Sequence, residues 1–468
     1  MIYTVFVSAF DAEEGGGESE KRETKKKGKL PGRETIAGKS GEGPGRDKKR
    51  GERKMKRFRR GEALVLAAAL ALGLAGCGST EKGNSSASSS GSEKAEKDSE
   101  ENDGEIVSEL LSGYSLPELS EEDKNYTVNL GYYNCDHMAA ASLGEATGIF
   151  KALGITVKTT GNGNVPEAMS AGQMDMAYCG WTTTLSAVQK HVPLFIAAEN
   201  HTGGSEYLVV SNKIGKPEEL IGKKISVGTE PEKNNLNWAE WTKQLNIPED
   251  ITKYDNQEMS DSDEYLALVA GSLDGYICCD PWGSMAEYSK AGHVMVRQDT
   301  DRPSGHGTCC KVAMNYTFSK AHPELAKRML LAHTLCIQYM YEHPYRAARI
   351  FSAYYNVPVE VALMTYWRKL VDEGRTIRWD LNLDYMRNQL ATMREYGIRD
   401  DINTVNVEDY VDLSYFDQCG AKNFEDFAKE KVDPVFPEGM SYEDFKKKAL
   451  AIDHAEGADL SVYEERKI

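Results

Sequence analysis

One eleven-residue phrase is written twice in this chain, as "AGQMDMAYCGW" over 171–181 and as "AGSLDGYICCD" over 270–280. In each copy Ala-Gly is followed by Asp three positions after the Gly and by Cys four after the Asp. Glycine tolerates the left-handed backbone just past a helix end, so Gly172 and Gly271 are expected to stop helices. The residues that follow, "MDMAYC" and "DGYICC", are short and apolar enough to be buried parallel strands. Each then runs into a new helix, "GWTTTLSAVQK" or "DPWGSMAEYSK". In the second, Asp280 is the expected N-cap and Pro281 the first helical residue. Ligands of open parallel sheets bind outside the carboxyl ends of the strands, where helix N-termini turn free N–H groups outward. Two copies therefore predict two comparable ligand edges, on two lobes that face each other across a cleft.

The text around the copies agrees. From Tyr126 short apolar runs alternate with amphipathic stretches: "YTVNLGYY", "AAASLGEATGIFKALG", "ITVKTTG", a helix to Ala171, then the first copy. A second series, "KKISVGT", "NNLNWAEWTKQLN", "ITKYD", "SDEYLALVA", leads into the second copy. Alternating strand and helix predicts an α/β fold with helices on the faces of parallel sheets. The first lobe is assigned to 126–212 and the second to 213–313, with crossings near Asn212 and Ala313. Residues 314–400 read as three or four helices returning to lobe one, with Pro323, Pro344 and Pro358 at or near helix starts. The polar, weakly periodic stretch 401–468 is a C-terminal extension to which no function is assigned.

The first part of the chain has another character. Residues 1–54 are dominated by Gly, Glu, Lys and Arg and cannot bury enough apolar surface to order. They are expected to be a disordered basic extension ahead of the true start at Met55. From there Lys56, Arg57, Arg59 and Arg60 precede an apolar run ending in "LAGC", which reads as a secretory signal over 55–76 and is too short for a comfortable membrane span. The tetrad Leu74–Cys77 resembles the bacterial lipobox, which implies cleavage before Cys77 and a lipid on its sulfur. Residues 77–125 are then the anchor and a Ser/Gly/Glu/Lys tether. Residues 1–76 hold 18 basic and 11 acidic side chains, so the −17 of the whole chain becomes about −24 beyond them. A chain that acidic is a poor partner for nucleic acid.

The stretch "YYNCDHMAAASLGEATGIFKALGITVKTTGNGNVPEAMSAGQMDMAYCG", together with "ISVGT" and "GYICCDPW", resembles the solute-binding lipoproteins of the nitrate, taurine and alkanesulfonate (NitT/TauT-like) branch of ABC importers. The resemblance covers roughly Tyr126 to Gly397. It implies a two-lobed, hinged periplasmic-binding-protein fold of type II and an extracytoplasmic, lipid-anchored monomer. Such a protein closes on a small anionic solute, such as sulfonate or nitrate, and hands it to a permease and ATPase. The implied ligand-binding residues are Asn134, Asp136, His137, Asn162, Gly180, Trp181, Thr182 and His201 in lobe one, and Thr229, Glu230, Asn234, Asp280 and Trp282 in lobe two. Asp136 and Asp280 could equally cap helices, and Trp181 and Trp282 could be core. Three carboxylates near the cleft, Asp136, Glu230 and Asp280, favour the alternative of a neutral or cationic heterocycle such as a thiamine-pyrimidine precursor.

Cysteine is the departure from the family pattern. Besides Cys77 the chain has Cys135, Cys179, Cys278, Cys279, Cys309, Cys310, Cys336 and Cys419. Two vicinal pairs make an awkward disulfide framework, so free thiols are expected. A third reading, a metal-binding surface lipoprotein, would need His137, His201 or His306 to converge with these cysteines. No CxxC or HxxxH spacing announces a site, and no metal or cofactor is assigned. There is no GxSxG elbow, phosphate loop or HExxH, and the chain is not expected to be an enzyme.

Overall fold

The structure, a computed structural model, describes residues 103–466 apart from 134, 162–163, 204–205 and 298–306. The signal, Cys77, Asn134, Asn162 and His306 lie outside the described residues. Two five-stranded sheets form the framework, ordered β2-β1-β3-β10-β4 and β7-β6-β8-β5-β9. The first contains β1 (Thr127–Tyr132), β2 (Thr156–Gly161), β3 (Met176–Gly180), β4 (Leu194–Glu199) and β10 (Cys310–Asn315). The second contains β5 (Glu206–Ser211), β6 (Lys224–Ser226), β7 (Asp255–Asn256), β8 (Gly275–Cys279) and β9 (Gly292–Arg297).

The repeated phrase occupies the same place in both, as β3 at the centre of one sheet and β8 at the centre of the other. Gly172 and Gly271 stand at φ 68° and 69°, the left-handed conformation that ends the preceding helix in each copy. Both strands are almost wholly buried.

The sheets are mixed rather than purely parallel. β1 runs parallel to β2 and β3, and β6 parallel to β7 and β8. β10 and β5 run antiparallel to the repeat strands beside them. These two are the strands that change lobes. The first crossing therefore falls at 200–205, before β5, and not near Asn212. The second falls between β9 and β10, so Ala313 lies within the first sheet. The reason is local: "EYLVV" is a strand whose burial needs β8 and β9 on its two sides.

The helical return packs on the first sheet. The Pro323–Glu342, Pro344–Tyr355 and Val359–Trp367 helices share a core with β1, β3, β4 and β10, and the first two carry proline in their first turn. The extension is part of the same core. Phe424, Phe427, Phe436 and Phe445 are buried there, with Phe424 and Phe427 set against the rings of Tyr341 and Trp379. The tether, expected to reach 125, stops short: residues 103–111 are helical, Val107 and Leu119 are buried, and Asp103 accepts a hydrogen bond from the Tyr339 hydroxyl. Among the described residues no helix is long and apolar enough to cross a membrane.

Candidate functional site

The ligand edge of each sheet is built by one register rule. Gly180, the last residue of β3, pairs with Cys310, the first of β10; Cys279, the last of β8, pairs with Glu206, the first of β5. An antiparallel strand begins where its parallel neighbours end, so the starts of β10 and β5 join the edge that the ends of β3 and β8 define. Between the two edges lies a cavity of about 470 Å³, lined by Tyr133, Cys135, His137, Gly180 to Thr183, Cys309 and Cys310 from lobe one. Lobe two supplies Glu206, Val227 to Thr229, Asn234 to Asn237 and Cys279, and the Leu383–Tyr396 helix adds Gln389 and Met393. That volume suits a small molecule or a chelated ion.

Of the residues expected at the site, His137, Gly180, Trp181, Thr182, Thr229 and Asn234 line this cavity. The Trp181–Gln189 helix begins at the cavity, and the Trp181 backbone N–H donates to the Cys309 carbonyl. The Trp181 ring is 3 % exposed and packs on Leu185 and Leu236, so it forms wall and core at once. Thr229 donates its hydroxyl to Glu258, and the Asn234 amide donates to the Thr229 carbonyl, which fixes the lobe-two loop.

The other expected residues serve elsewhere. Asp280 is fully buried; it accepts from the Ser284 backbone N–H and hydroxyl and pairs with Arg368. It caps its helix, which starts at Trp282, one residue after Pro281. Trp282 stacks toward Tyr265, and Glu230 is exposed and paired with Lys233. Asp136 and His201 are buried just behind the wall. Burial alone would raise the Asp136 carboxyl, but His137 and Lys369 outweigh it and hold the group below its ordinary range. Burial and the cations of the surroundings, His137 first, keep the His201 ring far below the usual imidazole range and therefore neutral.

Beneath the cavity a buried charge network ties the lobes to the helical return. At a π-helical turn, Arg368–Asp372, Arg368 reaches Asp280 and Glu287, while Lys369 contacts Glu373 at 2.6 Å, Asp136 at 3.5 Å and the Tyr207 hydroxyl at 2.5 Å. Asp136 also donates its backbone N–H to the Asp280 carbonyl, a direct bond between lobes.

The sulfurs, which the sequence named without showing where they meet, converge on His137. His137 Nε2 lies 2.8 Å from Cys310 Sγ, 3.3 Å from Cys135 Sγ and 3.7 Å from Cys309 Sγ, and Cys309 and Cys310 sulfurs are 3.6 Å apart. Asp136 Oδ1 holds His137 Nδ1 at 2.8 Å, and the His201 ring stacks on His137 at 4.6 Å. All eight described cysteines are free thiols. Cys135 is pushed up to about 12, chiefly by its hydrogen bond with Cys279, and burial pushes Cys310 up to about 11. The signal available in the sequence was position: "CC" stands just before the apolar run of β10, and "YICC" ends β8.

Residues 135–347 match the family model described as NMT1/THI5 like. No curated protein matches the sequence. Among solved structures the chain is similar to the ligand-binding component of an ABC-type import system from Staphylococcus aureus with zinc bound, at 15 % identity over 64 % of this chain and 100 % of that one, TM-score 0.52. It is similar to a Bordetella bronchiseptica RB50 protein at 18 % identity over 63 % and 97 % of the two chains, TM-score 0.50. It is also similar to the periplasmic nitrate-binding protein NrtA from Synechocystis PCC 6803, at 13 % identity over 72 % and 100 %, TM-score 0.50. At such identities the likeness establishes the architecture and nothing finer. The chain thus carries an NMT1/THI5-like domain over residues 135–347, built into a two-lobed α/β periplasmic-binding-protein fold.

Proposed function

We propose that this protein is the solute-capturing component of an ABC importer, exported by the signal over 55–76, anchored through Cys77 as a monomer on the outer face of the membrane, and without catalytic activity. The observation that carries the reading is the cavity itself, walled by the ligand edges of two sheets that are joined by two crossings. Such a pair of lobes can close by small rotations at the crossings and present the closed form to a permease and ATPase.

The N-terminus of the Trp181–Gln189 helix favours an anionic head group, as in sulfonate or nitrate. A second reading has a specific observation behind it. Glu206 lines the cavity, Asp261 stands behind Cys279 and Cys278, and no lysine or arginine is among the described lining residues. A neutral or cationic solute, such as a nitrogen heterocycle faced by Trp181, meets less repulsion there than a small anion.

The test is thermal unfolding of the chain against sulfonates, nitrate, pyrimidines, amines and zinc. A solute at a hundred times its Kd adds about 2.7 kcal/mol to stability, which moves the midpoint by several degrees. Loss of that shift in Trp181→Ala, with the unliganded fold intact, supports capture in the cleft. A chain that no member of the panel stabilises, and whose deletion leaves uptake of all of them unchanged, overturns the reading.

A further inference from the structure

We propose that the lobe-one wall of the cleft is a binding site for a thiophilic metal ion, Zn(II) or Cu(I), with His137, Cys309 and Cys310 as its ligands. The inference names the ligand chemistry that the importer reading leaves open, and rests on that reading only where it calls the ion a solute.

Four observations carry it. The first is distance. A tetrahedral zinc with Zn–S about 2.3 Å and Zn–N about 2.0–2.1 Å sets its ligand atoms about 3.5–3.8 Å apart. Nε2 of His137 lies 3.7 Å from Cys309 Sγ, and Cys309 and Cys310 sulfurs are 3.6 Å apart. The 2.8 Å between Nε2 and Cys310 Sγ must open by less than about 1 Å, within reach of side-chain rotation. The second is the outer shell: Asp136 Oδ1 holds Nδ1 of His137 at 2.8 Å, which orients the ring and leaves Nε2 as the donor, as carboxylates do behind metal-bound histidines.

The third is access. These side chains line the cavity, and Cys279 of lobe two lines it as well, so an ion here touches the wall of one lobe and is covered by the other. The fourth is donor chemistry. One imidazole and two sulfurs select zinc or Cu(I) over magnesium or calcium. The carboxylate of Glu206 on the opposite wall draws cations inward. Binding exchanges protons for the ion, with no change of oxidation state: each S–H that ligates, and the His137 ring at Nε2, releases its proton to solvent as the bond to the metal forms.

The experiment uses the full chain, reduced and stripped of metal by a chelator, titrated with Zn(II) against a chromophoric competitor and with Co(II) as a spectroscopic probe. Expected are one ion per chain and an intense thiolate-to-cobalt charge-transfer band. Cys309→Ser and Cys310→Ser should each reduce the band, and the double variant should weaken zinc binding at least about 100-fold. Cys419→Ser, remote from the cleft, should change neither, and circular dichroism checks that each variant folds. A folded, reduced chain that takes up neither ion, or a double variant that binds as well as the parent, overturns the site. If that same chain is still stabilised by an organic solute, the metal site falls and the importer reading stands. Binding through these residues supports the site whatever the organic panel shows.

Discussion

Lys369 and Glu264 show what burial does to a single charge in this molecule. The Lys369 ammonium is fully buried and is held by Glu373, Asp136 and Tyr207 together. Removing it in Lys369→Met leaves the buried Glu373 without its ion-pair partner and Asp136 with His137 alone, and the expected loss is about 3–5 kcal/mol in urea denaturation. A neutral result would mean that the network is solvated. Glu264 is the opposite case, 4 % exposed and pushed up to about 8 by burial, with Asp261 and Glu206 adding and Ser226 opposing. Unfolded, it ionises near 4.5. Between those values the unfolded chain has released a proton that the folded chain keeps, so folding stability falls as pH rises through the window. Glu264→Gln should flatten that slope between about pH 5 and 8 and add on the order of 2 kcal/mol at the upper end. An unchanged slope would show that the carboxyl is ionised when folded. At this scale the sequence was a fair guide to residue type and a poor one to role. Asp280 was legible as a helix cap, but its bond to Arg368 joins residues 88 apart and could not be read from local text.

At the scale of elements, the repeated phrase was legible because its cues are local: Ala-Gly for a helix stop, a short apolar strand, a helix start. Gly172 has nothing within 4 Å of where a Cβ would sit, so Gly172→Ala tests backbone conformation alone. About 1 kcal/mol of stability should be lost, measured by chemical denaturation, and Gly271→Ala should cost a similar amount. No loss in either would mean that these helices end without the left-handed turn. The strands β5 and β10 were the harder elements. Each is apolar enough to be recognised as a strand, yet its direction follows from which lobe the chain has just left. That direction brings Glu206 and Cys310 to the ligand edge.

For the whole molecule, the extension is the sharpest difference between text and structure. Its polar surface residues hide four phenylalanines that complete the lobe-one core. Truncation after Asp400 should expose the rings of Tyr341 and Trp379 and abolish a cooperative thermal transition; a truncated chain that melts like the parent would make the extension dispensable. The α/β architecture and the helix stops were present in the order of the amino acids, because hydrophobic period and turn chemistry act over a few residues. Where the chain changes lobes, which aromatic residues of the extension are core, and above all the meeting of His137 with Cys309 and Cys310, 172 and 173 residues away, were decided by tertiary structure. Two antiparallel crossing strands carry those distant sulfurs to an edge that no spacing along the chain describes.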